Sequence, residues 1–281
     1  MNRDTPDLVN RTYFGLPPRR ACGVVLCFLT VVAVAIWLVL YSEMVRLRTL
    51  DIMSTNSIGL PKAIRFRGSP SVAAFQVHWT IERMEFENCN SIVVENWLNS
   101  NAPHELGVFE HRSKSAFRVP SSIVSVRTDS SETFALMKFS SDRQLQTFHC
   151  VSSWGYAAEH LDIPRFTEVD KLVAVSNELT NLGLIGFKIE DTQELSRLRQ
   201  LKTIALDGCS GDFGFLRSLK KLEFVSLVAT KYDPITMGTT LKSLPNLQTL
   251  CVDDSPEGNS VQKILEPSIQ GRGGHILGKM Q

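Results

Sequence analysis

The chain has 281 residues, 43% of them hydrophobic and 21% charged, and its 30 Lys and Arg against 29 Asp and Glu leave a net charge of +1. That balance lacks the basic excess of a nucleic-acid binder and predicts no nucleic-acid partner. The apolar content can fill a core, which excludes disorder along the whole length, and the length admits one or two domains.

Residues 1–20 read as an N-terminal tail ending on Arg19 and Arg20. From Ala21 to Tyr41 every residue is apolar, small or weakly polar. As a helix rising about 1.5 Å per residue, that run reaches roughly 31 Å, the thickness of a hydrocarbon core. It predicts a single transmembrane helix over 21–41, in contact with the lipid bilayer, with Trp37 and Tyr41 toward the headgroup zone. A cleaved signal peptide competes with this, because Ala33-Val34-Ala35 has the character of a cleavage site. The apolar run continues through Ile36-Trp37-Leu38-Val39-Leu40, which favours an uncleaved signal-anchor. Arg3, Arg11, Arg19 and Arg20 precede the span, and only Arg46 and Arg48 follow closely. The positive-inside bias then predicts a cytoplasmic N-terminus and an exported body.

Residues 42–71 read as a tether, since Ser54-Thr55-Asn56-Ser57, Gly59, Pro61, Gly68 and Pro70 interrupt any periodicity. Residues 72–165 read as β-rich, with alternation at Ile123-Val124-Ser125-Val126 and Phe134-Ala135-Leu136-Met137. His104-Glu105 and Glu110-His111 lack the spacing of a zinc-binding helix, so the segment reads as a solvated loop and no metal is expected.

Residues 166–281 carry a repeat. Leu195-x-x-Leu198-x-x-Leu201-x-x-Ile204-x-Leu206-x-x-Cys209 is followed by Leu216-x-x-Leu219-x-x-Leu222-x-x-Val225-x-Leu227-x-x-Thr230. A third copy runs Leu241-x-x-Leu244-x-x-Leu247-x-x-Leu250-x-Val252-x-x-Ser255, and an upstream one Leu179-x-x-Leu182-x-Leu184-x-x-Phe187. Strand centres at Leu182, Ile204, Val225 and Leu250 lie 22, 21 and 25 residues apart. The frame also fits Ile81-x-x-Met84-x-Phe86-x-x-Cys89 and Leu145-x-x-Phe148-x-Cys150-x-x-Ser153, and two readings of these stay open, degenerate copies or chance matches. These residues resemble the leucine-rich repeat family in its short bacterial form. The expected fold class is therefore α/β, a leucine-rich repeat solenoid with a C-terminal cap and tail, preceded by a β-rich region and one transmembrane helix. Phe187, Cys209, Thr230 and Ser255 stand where the family often places Asn, so its asparagine ladder is absent.

One such unit cannot bury both its strand face and its helix face, so neighbours must stack into a continuous core. Asp191, Asp212 and Asp233 recur at intervals of 21 residues and are expected to cap the repeat helices. Basic residues such as Arg197, Arg199, Arg217, Lys220 and Lys221 read as the solvated convex face. Val261, Ile264 and Leu265 form an amphipathic turn that could cover the end of the solenoid, with mobile glycines at 271, 273 and 274 behind it. The cysteines form no C-x-x-C pair and are expected as free thiols, with one long-range disulfide as the alternative.

Residues alternating with the buried strand pair should face the concave side, which the resemblance marks as a protein-binding surface. The partner-binding candidates are Thr203, Asp207, Phe224, Ser226, Thr249 and Asp253, with Phe224 as the aromatic anchor. No nucleotide motif and no catalytic constellation is present, and no cofactor is expected. The function expected is a membrane-anchored recognition or scaffolding module for a protein or peptide partner. Two alternatives stay open: an enzyme with a site in 72–165, for which His104, His111 or His149 would have to meet Glu105 or Glu110 in a cleft, and a structural envelope protein.

Overall fold

The structure, a computed structural model, describes residues 18–46, 50–57, 61–68, 81–101, 103–111, 113–139, 145–152, 163–176 and 178–278. It divides into two compact units, Met1–Leu50 and Asp51–Gln281. In the first, the apolar run lies within one helix, α1 (Pro18–Arg46), whose side chains are described from residue 24 to residue 39. Val24, Leu26, Phe28 and Val31 are each more than half exposed. Among the described residues no helix is long and apolar enough to cross a membrane. The ends of the expected span, residues 21–23 and 40–41, fall outside the described side chains.

After α1 come β1 (Leu50–Thr55), which starts at the last residue of the first unit, β2 (Pro61–Arg67) and β3 (Arg83–Glu87), followed by α2 (Ser91–Asn101), β4 (Glu105–Phe109), β5 (Phe117–Arg118) and β6 (Ser125–Thr128). Next come α3 (Ser131–Leu136), β7 (Met137–Lys138), β8 (Thr147–Val151), β9 (Arg165–Phe166), α4 (Val169–Val175), β10 (Asn181–Ile185) and β11 (Lys188–Ile189). The rest comprises α5 (Thr192–Leu195), β12 (Thr203–Ala205), a 3-10 turn at Gly214–Ser218, β13 (Phe224–Ser226), α6 (Pro234–Lys242), β14 (Thr249–Cys251), α7 (Pro256–Gln270) and β15 (His275–Leu277).

Eleven of these strands form one sheet in the order β1-β2-β3-β4-β6-β8-β10-β12-β13-β14-β15. The pairings from β2 onward are parallel. The order follows the chain because each strand is laid beside its predecessor after one turn of the solenoid. The chain is thus an α/β, leucine-rich-repeat-like solenoid, and the sheet runs without a break through the segments expected to be separate. Residues 42–71, expected as a tether, instead supply β1 and β2. Two of the residues that suggested a tether punctuate a strand instead: Pro61 opens β2, and Gly68 follows it with a φ of +73°.

Alternation does the rest. From β2 to β14 each strand of the long sheet, with the residue that follows it, turns two side chains into the core, among them Ile64 and Phe66, Met84 and Phe86, Leu106 and Val108, Phe148 and Cys150, then Leu182 and Leu184, Ile204 and Leu206. The first half builds this core from aromatic rings rather than leucines. Phe66 packs on Trp97 at 4.4 Å between centroids, and Phe148 on Phe134 at 4.6 Å and on Phe166 at 6.0 Å. Burying each such ring is worth about 1.5–3 kcal/mol.

A left-handed residue follows each of several strands at one repeat position: Gly68, Asn88, Glu110, Gly186, Gly208 and Ala229. The chain turns off the sheet there. Only glycine takes that backbone freely, so Ala229, at φ 54°, holds a strained version of the same turn. Cysteine and threonine substitute for the missing asparagine ladder: Cys209 Sγ donates to the Leu184 carbonyl at 3.0 Å, and Thr230 Oγ1 to the Leu206 carbonyl at 2.5 Å. Cys89, Cys150 and Cys209 are buried free thiols.

The three aspartates do not act alike. Asp233 caps α6, accepting from Thr236 N at 2.7 Å. Asp212 accepts from Gly214 N at 2.8 Å at the 3-10 turn, but Asp191 is left-handed and its side chain caps nothing, because its backbone carbonyl meets Glu194 N instead. At the C-terminus α7 buries Val261, Leu265 and Ile269, and the glycines beyond it, expected to be mobile, make the turn into β15.

Candidate functional site

In the long sheet the face turned away from the core is the concave side, and parallel pairing aligns its outward residues in rows across the repeats. Register therefore decides which side chains meet. Arg65 lies opposite Glu85, Arg67 opposite Glu87, and Arg83 opposite Glu105. The ion pairs follow: Arg65 to Glu85 at 2.7 Å, Arg67 to Glu87 at 3.1 Å and to Asp51 at 3.3 Å, and Arg83 to Glu105 at 2.5 Å. Lys62 meets Glu82 at 2.9 Å. The half-exposed pairs contribute little, about 0–1 kcal/mol each. Glu85 is different, because its carboxylate is buried and depends on Arg65 for compensation.

The ladder stops at β6. Arg127 lies opposite Gly107 on β4 and His149 on β8. Burial, with the Arg127 charge as a lesser cause, pushes the His149 pKa below its ordinary value. From β10 onward the concave face turns to small, hydroxyl and apolar residues. Thr203, Phe224, Thr249 and His275 form one row, and the first three are half-buried side chains accessible from outside.

The other candidate contact residues are used internally. Asp207 is 7% exposed and accepts from Ser226 Oγ at 2.6 Å and Val228 N at 2.9 Å, and Ser226 is buried beside it. Burial raises the Asp207 pKa, with the bonds from Ser226 and Val228 opposing it. Asp253 accepts from Ala229 N at 2.8 Å and from Ser255 Oγ at 2.5 Å. Both carboxylates tie down the left-handed turns of a neighbouring repeat, so three of the six candidates, Asp207, Ser226 and Asp253, serve the scaffold, and Thr203, Phe224 and Thr249 face outward.

The ladder residues were missed in the sequence although a signal existed. Arg65 and Glu85, Arg67 and Glu87, and Arg83 and Glu105 are separated by 20, 20 and 22 residues, close to one repeat. The basic residues on the other side also cross between repeats: Arg217 Nε donates to Thr240 Oγ1 at 3.2 Å, and Lys221 Nζ to Gln200 Oε1 at 2.5 Å.

Glu110 and His111 do share a cavity of about 610 Å³, with Asp129, Glu132, Lys114 and Glu168. His111 Nε2 lies 3.0 Å from Ser91 Oγ, which resembles a base beside a nucleophile. Ser91 is 3% exposed and donates to the Ser115 carbonyl, so the hydroxyl is held inside the loop rather than presented to a substrate. His104 is exposed and sits against the Ser122 carbonyl, and Glu105 is occupied by Arg83. Cys209, which stands near a turn resembling a nucleophile loop, is fully buried and its thiol is pushed up to about 12 by burial. Among the described residues no group of three or more His, Cys, Asp or Glu is placed to hold a metal ion.

No family model matches the chain, and no curated protein matches it. Among solved structures it is similar to an internalin from Listeria monocytogenes, at 10% identity and a TM-score of 0.41, covering 77% of this chain and 66% of the internalin.

Proposed function

We propose that the chain is a membrane-anchored recognition module that takes a protein or peptide partner on the concave face of its solenoid. The observation that carries this is the change along that face: an ion-paired stretch on β2 to β4 gives way to an accessible row at Thr203, Phe224 and Thr249. A half-exposed ring flanked by hydroxyls offers contact area without a desolvated charge, which suits a protein surface. Anchoring at 21–41 is supported by the length of the apolar run and by the exposed side chains of α1, which need a non-aqueous or protein environment. The N-terminal arginines favour a cytoplasmic N-terminus and an exported solenoid.

A photo-reactive residue at Thr203 on the concave side, compared with one at Lys221 on the opposite side, tests the face. A discrete adduct in cells from position 203 alone is expected, and equal labelling from both positions refutes the assignment. Protease treatment of intact against permeabilised cells tests the orientation: cleavage of the solenoid in intact cells is expected, and protection until permeabilisation reverses it.

A further inference from the structure

Four arginines stand on the first half of the concave face, and the register treats one of them differently. Arg65, Arg67 and Arg83 each have a glutamate at the facing position of the next strand. Arg127 has a glycine on one side and a histidine on the other. Among the described residues, no carboxylate lies within ion-pair distance of Arg127, although its side chain is exposed. Asp129, just beyond the end of β6, is engaged through Oδ2 by Glu110 N at 2.5 Å.

On the β4 side the Glu85 side chain and the Phe109 ring lie over Gly107, and the Arg127 side chain is exposed to solvent. A Cβ at Gly183 would run into the His149 ring at Nδ1, so the ring leans over Gly183, toward β10 and away from Arg127. Beside it on the same face, Val151 is 40% exposed and lies in register with Ile185, giving an apolar shelf two residues further along both strands. Neighbouring strands are about 4.8 Å apart, so guanidinium, imidazole and shelf fall within the span of two or three residues of an extended peptide.

On the premise that the concave face is the binding surface, we propose that Arg127 is its anion-recognition point. It takes the carboxylate of an aspartate or glutamate in an extended partner peptide, with His149 alongside and an apolar neighbour of that acid on Val151 and Ile185. A carboxylate fits better than a phosphate on charge. One guanidinium offers a single forked pair of donors, and His149 is held toward its neutral form.

The test uses the full chain in detergent and fluorescein-labelled ten-residue peptides in which a central Glu, Gln or phosphoserine is flanked by valines, with binding read by fluorescence polarisation. Wild type is expected to bind the Glu peptide about tenfold more tightly than the Gln peptide. Arg127→Gln is expected to erase that preference with an unchanged far-UV circular dichroism spectrum, since Arg127 has no ion-pair partner among the described residues. Equal affinity of wild type for Glu and Gln, or an undiminished preference in Arg127→Gln, overturns the proposal, and a preference for phosphoserine over Glu overturns its choice of carboxylate. Phe224→Ser separates this failure from that of the broader reading. Weakened binding of every peptide in Phe224→Ser, with Arg127→Gln like wild type, removes the Arg127 assignment and leaves the concave face standing. Indifference to both substitutions removes both.

Discussion

Phe148 is the ring on which the continuity of the solenoid can be tested. It lies on β8, between the ladder half and the leucine half, is fully buried, and packs against Phe134 and Phe166 from the neighbouring turns. Phe148→Ala would remove the contact on both sides at once and leave a cavity that the flanking rings cannot fill without giving up their own contacts. Truncating a buried Phe in such a setting costs about 3–5 kcal/mol. With a urea dependence of about 3 kcal/mol per M for a chain of this size, the midpoint of unfolding should fall by about 1 M or more. Far-UV circular dichroism follows the whole sheet, and tryptophan fluorescence includes Trp97, which packs on Phe66 several strands away. Both signals should shift together if β6, β8 and β10 belong to one sheet. An unchanged midpoint would refute the packing at the junction, and a shift confined to one signal would show that the two halves fold separately.

Other consequences are more local. Cys209→Val, which removes the Sγ donor to the Leu184 carbonyl, should lower stability by about 1–3 kcal/mol in chemical denaturation, and Cys209→Ser, which keeps a donor, by less. Alkylation at pH 8 followed by peptide mass mapping should modify half-exposed Cys251 well before Cys209, whose thiol is pushed up to about 12 by burial; equal rates would contradict the buried ladder. Ser255→Ala removes the side-chain oxygen that accepts from Gly258 N at 3.0 Å at the start of α7, and should cost about 1 kcal/mol in a thermal melt. Asp207 has a carboxyl pKa raised by burial, so its folded form keeps a proton that the unfolded chain releases near pH 4. That stabilisation is complete below the unfolded value and is lost as pH rises through the folded one. Stability of wild type relative to Asp207→Asn should therefore decline across that window, and a parallel pH course would show that the carboxyl is not desolvated.

The leucine repeat was legible from Leu179 to Ser255 because L-x-L at a constant period is a one-dimensional signal: each unit writes the same buried pair. The earlier turns bury the same pair with Met84 and Phe86 or Phe148 and Cys150, which keeps the geometry but erases the letter that marks it. The glycines and prolines of 42–71 looked like a tether for a related reason, since a strand boundary and a linker use the same residues, and only sheet pairing tells them apart. The concave candidates divided by the same logic. Spacing placed Thr203, Asp207, Phe224, Ser226, Thr249 and Asp253 on one face, but not which of them the next repeat would claim. Asp207 and Asp253 were claimed by backbone N–H groups some twenty residues away, a demand set by the left-handed turns and invisible along the chain. The sequence by itself determined periodicity, the apolar run at 21–41 and the inward pair of each repeat, because these follow from local alternation. Tertiary structure alone decided which charges are spent and which are free, because parallel register joins residues a full repeat apart and left Arg127 facing a glycine and a histidine where its predecessors face glutamate.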